Sequence, residues 1–333
     1  MPIRDEQRSP GSLWHRWVNA PQKVGLRRAL FQVHLWIGLV LGLYVVMISV
    51  TGSAVVFRRE LNVWLVPRTV AAAPGVELTP DDLQAIARRI YLPEEVKAVT
   101  TPRRPDRPVH VSLERGGRVT ERLFDPYAEK DLGLDFPPLL RAEEWLVELH
   151  DNLLAGLSGR LINGLAGIFV VVLALTGAVI WWPGRQRWRA SLVVNAPLKS
   201  RQFLWQLHSC IGIWVVALVL VWSITAVYFA FPEPVEAMFN FFDPDPTNGL
   251  RPGEPVLLAL IQWHFGRFGG LWVRWLWVFL GLLPVALFVT GFVLWWTRVA
   301  RRWLASAARR REAGAQTPAV AEAAVDSTQV GPS

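Results

Sequence analysis

Cysteine is nearly missing from these 333 residues: Cys210 is the only one, and it sits in an apolar stretch. That excludes an intrachain disulfide, a thiolate metal centre and a Cys-x-x-Cys-His attachment motif, and leaves Cys210 as a small packing residue. Charge is sparse too: Asp, Glu, Lys and Arg make up 19% of the chain. The central parts of four apolar stretches contain none of them. A proton- or ion-coupled transporter usually carries ionisable groups at that depth, so the absence suits a pump poorly. No Gly-x-Gly-x-x-Gly motif follows a strand, so no nicotinamide or flavin site announces itself. The first apolar run is expected as an uncleaved anchor and not a cleavable signal, because roughly thirty polar and basic residues precede it, far more than a signal n-region.

What is present is apolar. Hydrophobic residues reach 52%, with 18 Trp, and each of the four stretches approaches the ~20 residues needed to cross a ~30 Å hydrocarbon core. The expectation is a mainly α, polytopic membrane protein, a four-helix bundle in lipid. The net charge of +8 flanks these stretches, as positive-inside bias requires, and does not form a nucleic-acid footprint.

The chain then divides as follows: a basic N-terminus over 1–32 containing His15 as a solvated or interfacial residue, a first span over 33–57, and a polar segment over 58–140. An amphipathic helix leads into a second span over 141–182, with a bend expected near Ser158-Gly159. A basic loop covers 183–206, a third span 207–231 and an acidic loop 232–260. The fourth span and its preceding turn cover 261–297, and a low-complexity tail covers 298–333. The basic loop places both termini in the cytoplasm and the 58–140 segment outside.

The 58–140 segment reads as a small periplasmic α+β domain. Thr79-Pro80-Asp81-Asp82 is a helix start with a capping threonine, proline in the first turn and acids at the positive end of the helix dipole. Alternating segments follow at Val96–Thr100, Val109–Leu113 and Val119–Phe124, with Gly116-Gly117 as a hairpin turn. His110 is expected as an ordinary strand residue.

Four histidines organise the rest. His34 and His208 each open a span, with glycine four residues on (Gly38, Gly212) and threonine seventeen on (Thr51, Thr225). His150 and His264 each precede a span, and 114 positions separate them, as 114 separate Thr176 from Thr290 in the two Thr-Gly-x-Val-x-Trp-Trp ends. On the topology above, His34 and His208 share the cytoplasmic depth, and His150 and His264 the outer depth. Two imidazoles facing each other at one depth can ligate a haem iron axially, so two pairs suit two haems. Gly38 and Gly212 would let a flat macrocycle lie close to the helix, as would Gly156, Gly266, Gly269 and Gly270 on the outer side. Arg160 and Arg274, again 114 apart, are either snorkelling helix-end residues or partners for haem propionates. Arg59, Arg185 and Arg201 are weaker candidates of that kind. A zinc or other transition-metal site would need three or four converging ligands.

His34-x3-Gly38 with Thr51-Gly52, LHDNLLAG (149–156), TGAVIWWP (176–183), WQLHSCIG (205–212) and TGFVLWW (290–296) together resemble the PepSY-associated transmembrane proteins, over about residues 25–300. FDPYAE (124–129) resembles the strand-turn Asp-Pro-x-Thr-Gly of that family, with Ala128-Glu129 in place of Thr-Gly. The resemblance implies an inner membrane of Gram-negative type, a PepSY-like outer domain and two b-type haems. His34 with His208 would hold the cytoplasmic-side haem, and His150 with His264 the periplasmic-side haem. It further implies electron transfer to a periplasmic acceptor, a ferric siderophore or other ferric chelate, as in the iron-regulated membrane proteins and FoxB-type reductases. The donor would be separate, a quinol or a reduced flavin. Two readings of other classes stand beside this one: a non-enzymatic membrane scaffold or regulator, and a metal transporter.

Overall fold

A computed structural model describes residues 13–19, 21–72, 78–195, 199–242, 253–301, 303 and 306. The expected tail beyond 306 and the first twelve residues lie outside the described residues. The helices are α1 (Leu13–Asn19), α2 (Gly25–Val40), α3 (Gly42–Val55), α4 (Arg58–Leu65), α5 (Pro80–Ile90), α6 (Pro138–Asn152), α7 (Gly156–Trp181), α8 (Ser200–Ala230), α9 (Pro232–Phe242), α10 (Gly253–Phe265) and α11 (Gly270–Trp295). Strands β1 (Glu95–Thr100), β2 (Val109–Arg115), β3 (Arg118–Asp125) and β4 (Lys130–Leu134) form one antiparallel sheet in sequence order. The protein is a mainly helical, polytopic membrane protein with a small α+β part.

Among the described residues three single helices are long and apolar enough to cross a membrane: α7, α8, and α11 continued to Ala300. Only 17–22% of their apolar windows is buried within the protein. Phe169, Trp214, Phe279 and Val289 are among the large side chains left exposed, as lipid-facing surfaces require. The first apolar run, expected as one span over 33–57, is two helices, α2 and α3, bent by 61°. The break falls at Leu41-Gly42, where the ring of Phe288 packs directly on the backbone. A Cβ at Gly42 would stand 1.9 Å from Phe288 Cε2, so only glycine fits there.

Clustering of contacts divides the chain into two units. One comprises Met1–Ser49, Gly164–Val256 and Leu280–Ser333, and holds most of the span length. In it Arg27 Nη2 donates to the carbonyl of Ile180 (2.5 Å), and the small faces of Gly164 and Gly167 on α7 meet Ala230, Val227 and the Ser223 carbonyl on α8. Small residues at such crossings let helix backbones approach where no hydrophobic effect drives association. Cys210 Sγ–H and Trp214 Nε1–H both donate to the Leu192 carbonyl.

The second unit comprises Val50–Asn163 and Leu257–Phe279. Its core is Leu83, Ile86 and Ala87 of α5 with Tyr91, Val109, Val111, Leu113 and Phe124. The inward positions of β2 alternate, as period-two side-chain geometry demands. Thr79 caps α5: its Oγ accepts from Asp82 N–H (3.3 Å), and Asp82 Oδ2 accepts in return from Thr79 N–H (2.9 Å). The Asp125 turn forms without Thr-Gly, because Asp125 Oδ1 accepts from the N–H groups of Tyr127 (2.9 Å) and Ala128 (3.0 Å). Glu129 occupies the left-handed position, at φ 50°. Strand β4 follows that turn.

Two expectations about connections need correction. The 232–260 segment, expected as an acidic loop, is helical over α9 and α10, with 243–252 outside the described residues. Pro232 opens α9 and Glu233 lies in its first turn, a favourable N-terminus. The bend expected at Ser158-Gly159 falls earlier. Helix α6 ends at Leu153, and Leu153 (φ 55°), Leu154 (φ 59°) and Gly156 (φ 56°) are all left-handed. Gly159 lies inside α7, so close under α6 that an added Cβ would be 1.7 Å from the Asn152 carbonyl oxygen.

Candidate functional site: paired histidines held by threonines

In the first unit, α2 carries His34 and α8 carries His208. Their ring centroids are 6.4 Å apart and their planes stand at 88°. Both rings are half-buried. His34 Nδ1 lies 3.0 Å from the Leu173 carbonyl and 3.3 Å from Thr176 Oγ1, and His208 Nδ1 lies 3.0 Å from Thr290 Oγ1. The threonines decide the tautomer. Thr176 Oγ1–H donates to the Val172 carbonyl (2.7 Å) and Thr290 Oγ1–H to the Ala286 carbonyl (2.7 Å). Each hydroxyl oxygen is thereby left to accept, so Nδ1 of each histidine carries the proton and donates. Nε2 is then the unprotonated nitrogen, the form a metal requires.

The second unit repeats the device. His150, on the last turn of α6, has Nδ1 3.1 Å from Thr51 Oγ1. His264 sits on the last turn of α10, in the same unit. The two helix ends are fastened alike. Asn163 Nδ2 donates to the carbonyls of His150 (2.8 Å) and Asp151 (2.9 Å), and Trp277 Nε1 donates to the Trp263 carbonyl (2.7 Å). Both contacts meet carbonyls that a helix C-terminus leaves without intrahelical partners. Asn163 and Trp277 are themselves 114 positions apart, so the repeat seen in the histidines extends to the residues that hold them.

Each observed threonine is followed by a glycine, and the glycine makes room for the ring. A Cβ at Gly52 would meet His150 Cε1 at 2.7 Å, one at Gly177 would meet His34 Cε1 at 3.0 Å, and one at Gly291 would meet His208 Cε1 at 3.2 Å. Thr-Gly is thus a histidine cradle, with the threonine taking Nδ1–H and the glycine leaving space for the ring edge. Thr51, Thr176, Thr225 and Thr290 are all buried. The sequence signal for these roles was the constant His-to-Thr spacing. Gly38 and Gly212 stand differently: a Cβ there would have one neighbour each, Leu173 at 3.6 Å and Leu287 at 3.8 Å.

The family model described as the PepSY-associated TM region matches residues 31–256 and 243–298. The chain belongs to that family. No match was found among curated proteins. In this PepSY-associated TM protein the matched range takes in all four histidines and their threonines.

Arg160 and Arg274 close on the protein's own acids. Arg160 pairs with Asp151 (2.8 Å), and Arg274, nearly buried, pairs with Glu60. Arg58 faces Glu143 at 3.5 Å. Burial pushes the Glu143 carboxyl up, while Arg58 draws it back. The first pair ties α7 to α6 and the other two tie α4 to α11 and α6, so Arg160 and Arg274, the candidates for propionates, meet the protein's own carboxylates. His15 is exposed on α1, and His110 faces Asp135 at 3.2 Å on the sheet.

The spacing of the first pair is compatible with a metal held between the two imidazoles. Two imidazoles sharing one metal at ~2.0 Å from each Nε2 have centroids about 6.3 Å apart, against the 6.4 Å observed. Among the described residues no group of three or more His, Cys, Asp or Glu side chains converges as a metal site.

Proposed function

We propose that this protein is a di-haem b oxidoreductase of the inner membrane that passes electrons to a periplasmic ferric chelate. One observation carries the reading: His34 and His208 stand 6.4 Å apart, each with Nδ1 committed to a threonine on a neighbouring helix. His34 and His208 hold one haem, and His150 and His264 the other. When bound, the two haems supply one-electron carriers whose potentials depend on axial ligand, hydrogen bonding and burial. The chain's own part is to fix the imidazole tautomers through Thr51, Thr176 and Thr290, and to keep the span interiors free of Asp, Glu, Lys and Arg. Basic ends on the 183–206 loop and after α11 support a cytoplasmic face there, with the α+β part outside.

The resemblance to ferric-siderophore reductases supports the acceptor. Each electron delivered converts one Fe(III) to Fe(II), which hard oxygen ligands hold less tightly, and iron is released. A quinol or reduced flavin supplies the electrons from a separate molecule. A difference spectrum of the purified protein, reduced minus oxidised, with haem counted per chain, tests the reading. Two b-type haems support it, and reoxidation by an added ferric chelate then tests the acceptor. A well-folded, colourless protein overturns it and favours a membrane scaffold or regulator.

A further inference from the structure

A cleft of about 660 Å³ opens in the α+β unit, with Arg68, Arg103, Arg104 and Arg107 around it and Leu123 and Phe136 among its apolar lining. Its size suits a small molecule. Three of the arginines come from residues 102–108, Pro-Arg-Arg-Pro-Asp-Arg-Pro, which join β1 to β2. Three prolines fix φ along that connection. Hydrogen bonds then clip it: Arg107 N–H donates to the Arg104 carbonyl (3.2 Å) and Val70 N–H to the Asp106 carbonyl (3.0 Å). Arg107 Nη1 donates to the Arg68 carbonyl (3.0 Å). The backbone that carries these arginines is therefore held in place around the cleft.

The acids at the cleft do not balance them. Arg104 engages Asp106 through two hydrogen bonds (3.0 and 2.7 Å), and Asp135 faces His110 at 3.2 Å. Arg68 donates to the Asn62 side-chain oxygen, a neutral group. Among the described residues Arg103 and Arg107 have no carboxylate partner. The arrangement lacks a counter-ion with several oxygens, which guanidinium forks bind in pairs.

We propose that this cleft binds a small, multiply charged oxyanion, a polycarboxylate or polyphosphate, through Arg68, Arg103 and Arg107. The proposal stands apart from the electron-transfer reading, since its test needs no haem and no turnover. The full-length protein in phosphatidylcholine nanodiscs is titrated calorimetrically with citrate, with inorganic pyrophosphate and with acetate at low salt. Citrate or pyrophosphate binds at one per chain, at least about tenfold tighter than acetate, and weakens as salt is raised. Arg103→Gln with Arg107→Gln weakens binding by about tenfold or more, and the Lys pair at the same positions retains more of it. Both positions are exposed, so the fold survives; should the double variant unfold early, each single Gln variant is expected to weaken binding severalfold. No binding at millimolar anion, or equal affinity in the Gln variants, overturns the proposal. Association with phosphatidylglycerol vesicles but not with the free anions also overturns it, and marks a lipid-facing basic patch.

Discussion

His208 and Thr290 form a directional pair: the threonine hydroxyl donates to the Ala286 carbonyl at 2.7 Å and so accepts from His208 Nδ1 at 3.0 Å. The orientation of an imidazole is set here by a side chain 82 residues away, and the same relation recurs between His34 and Thr176, while His150 Nδ1 meets Thr51 Oγ1 at 3.1 Å.

Removing the acceptor should therefore act on the ligand. Thr290→Val takes the hydroxyl acceptor from His208 Nδ1 and leaves only the Leu287 carbonyl, and is expected to lower cofactor affinity by about 10–100-fold, as loss of an outer-shell partner does. Thr290→Ser keeps the hydroxyl and most of the affinity. Haem content at limiting haem, compared across the three proteins, checks this.

The cradle glycines should rank by clearance. Gly52→Ala meets His150 Cε1 at 2.7 Å, Gly177→Ala meets His34 Cε1 at 3.0 Å and Gly291→Ala meets His208 Cε1 at 3.2 Å. Loss of the corresponding haem signal is expected to be greatest for Gly52→Ala and least for Gly291→Ala. Gly38→Ala, whose Cβ lies 3.6 Å from Leu173, fits the apoprotein without displacement. Loss of haem in that variant, with unfolding unchanged, would show that a macrocycle needs the space.

Deleting one outer ligand separates the pairs. His264→Ala is expected to abolish the haem held with His150 and to spare the one held by His34 and His208. Low-temperature difference spectra should retain about half the absorbance. Retention of both haems would refute the pairing.

In the α+β unit, Asp131 accepts from Arg122 Nε (3.1 Å), the Tyr91 hydroxyl (2.7 Å) and Gly133 N–H (3.2 Å). Burial alone would raise its carboxyl, but these hydrogen bonds outweigh burial and hold it below the usual range. Tyr91 is pushed the other way, by burial first and then by Asp131. A depressed carboxylate contributes stability above its unfolded pKa, and that contribution is lost as pH falls through the folded value. Asp131→Asn should therefore lower stability by about 1–3 kcal/mol at neutral pH. The gap to the parent protein should close as pH falls below about 4. Hydrogen exchange of the β2 and β3 amides as a function of pH reads both effects.

The residues that fasten the outer histidines should matter without touching a ligand. Asn163→Leu removes two donors from the C-terminal carbonyls of α6 and is expected to destabilise that turn by about 1–3 kcal/mol. Increased hydrogen exchange over 149–156 is the measure, with the His34–His208 signal unchanged.

Much of this was legible in the chain itself. Run length and the absence of charge pointed to apolar helices, because backbone polar groups in lipid must be satisfied within a helix or a closed barrel; that the first run is bent into two helices was not legible there. Thr79-Pro80-Asp81-Asp82 fixed the start of α5, because capping is local. The spacing of four histidines and four threonines marked the positions that matter. Tertiary structure decided what spacing leaves open. Which threonine meets which histidine depends on how helices associate, and His34 takes Thr176 rather than Thr51 on its own run. The bend at Gly42 depends on Phe288, a residue far away in sequence. The capping of α6 by Asn163, and the gathering of Arg68 with Arg103 and Arg107, likewise arise from contacts between segments that no local pattern encodes. Periodicity reports a residue's own helix or strand, whereas a partner from another element is chosen only when the chain packs.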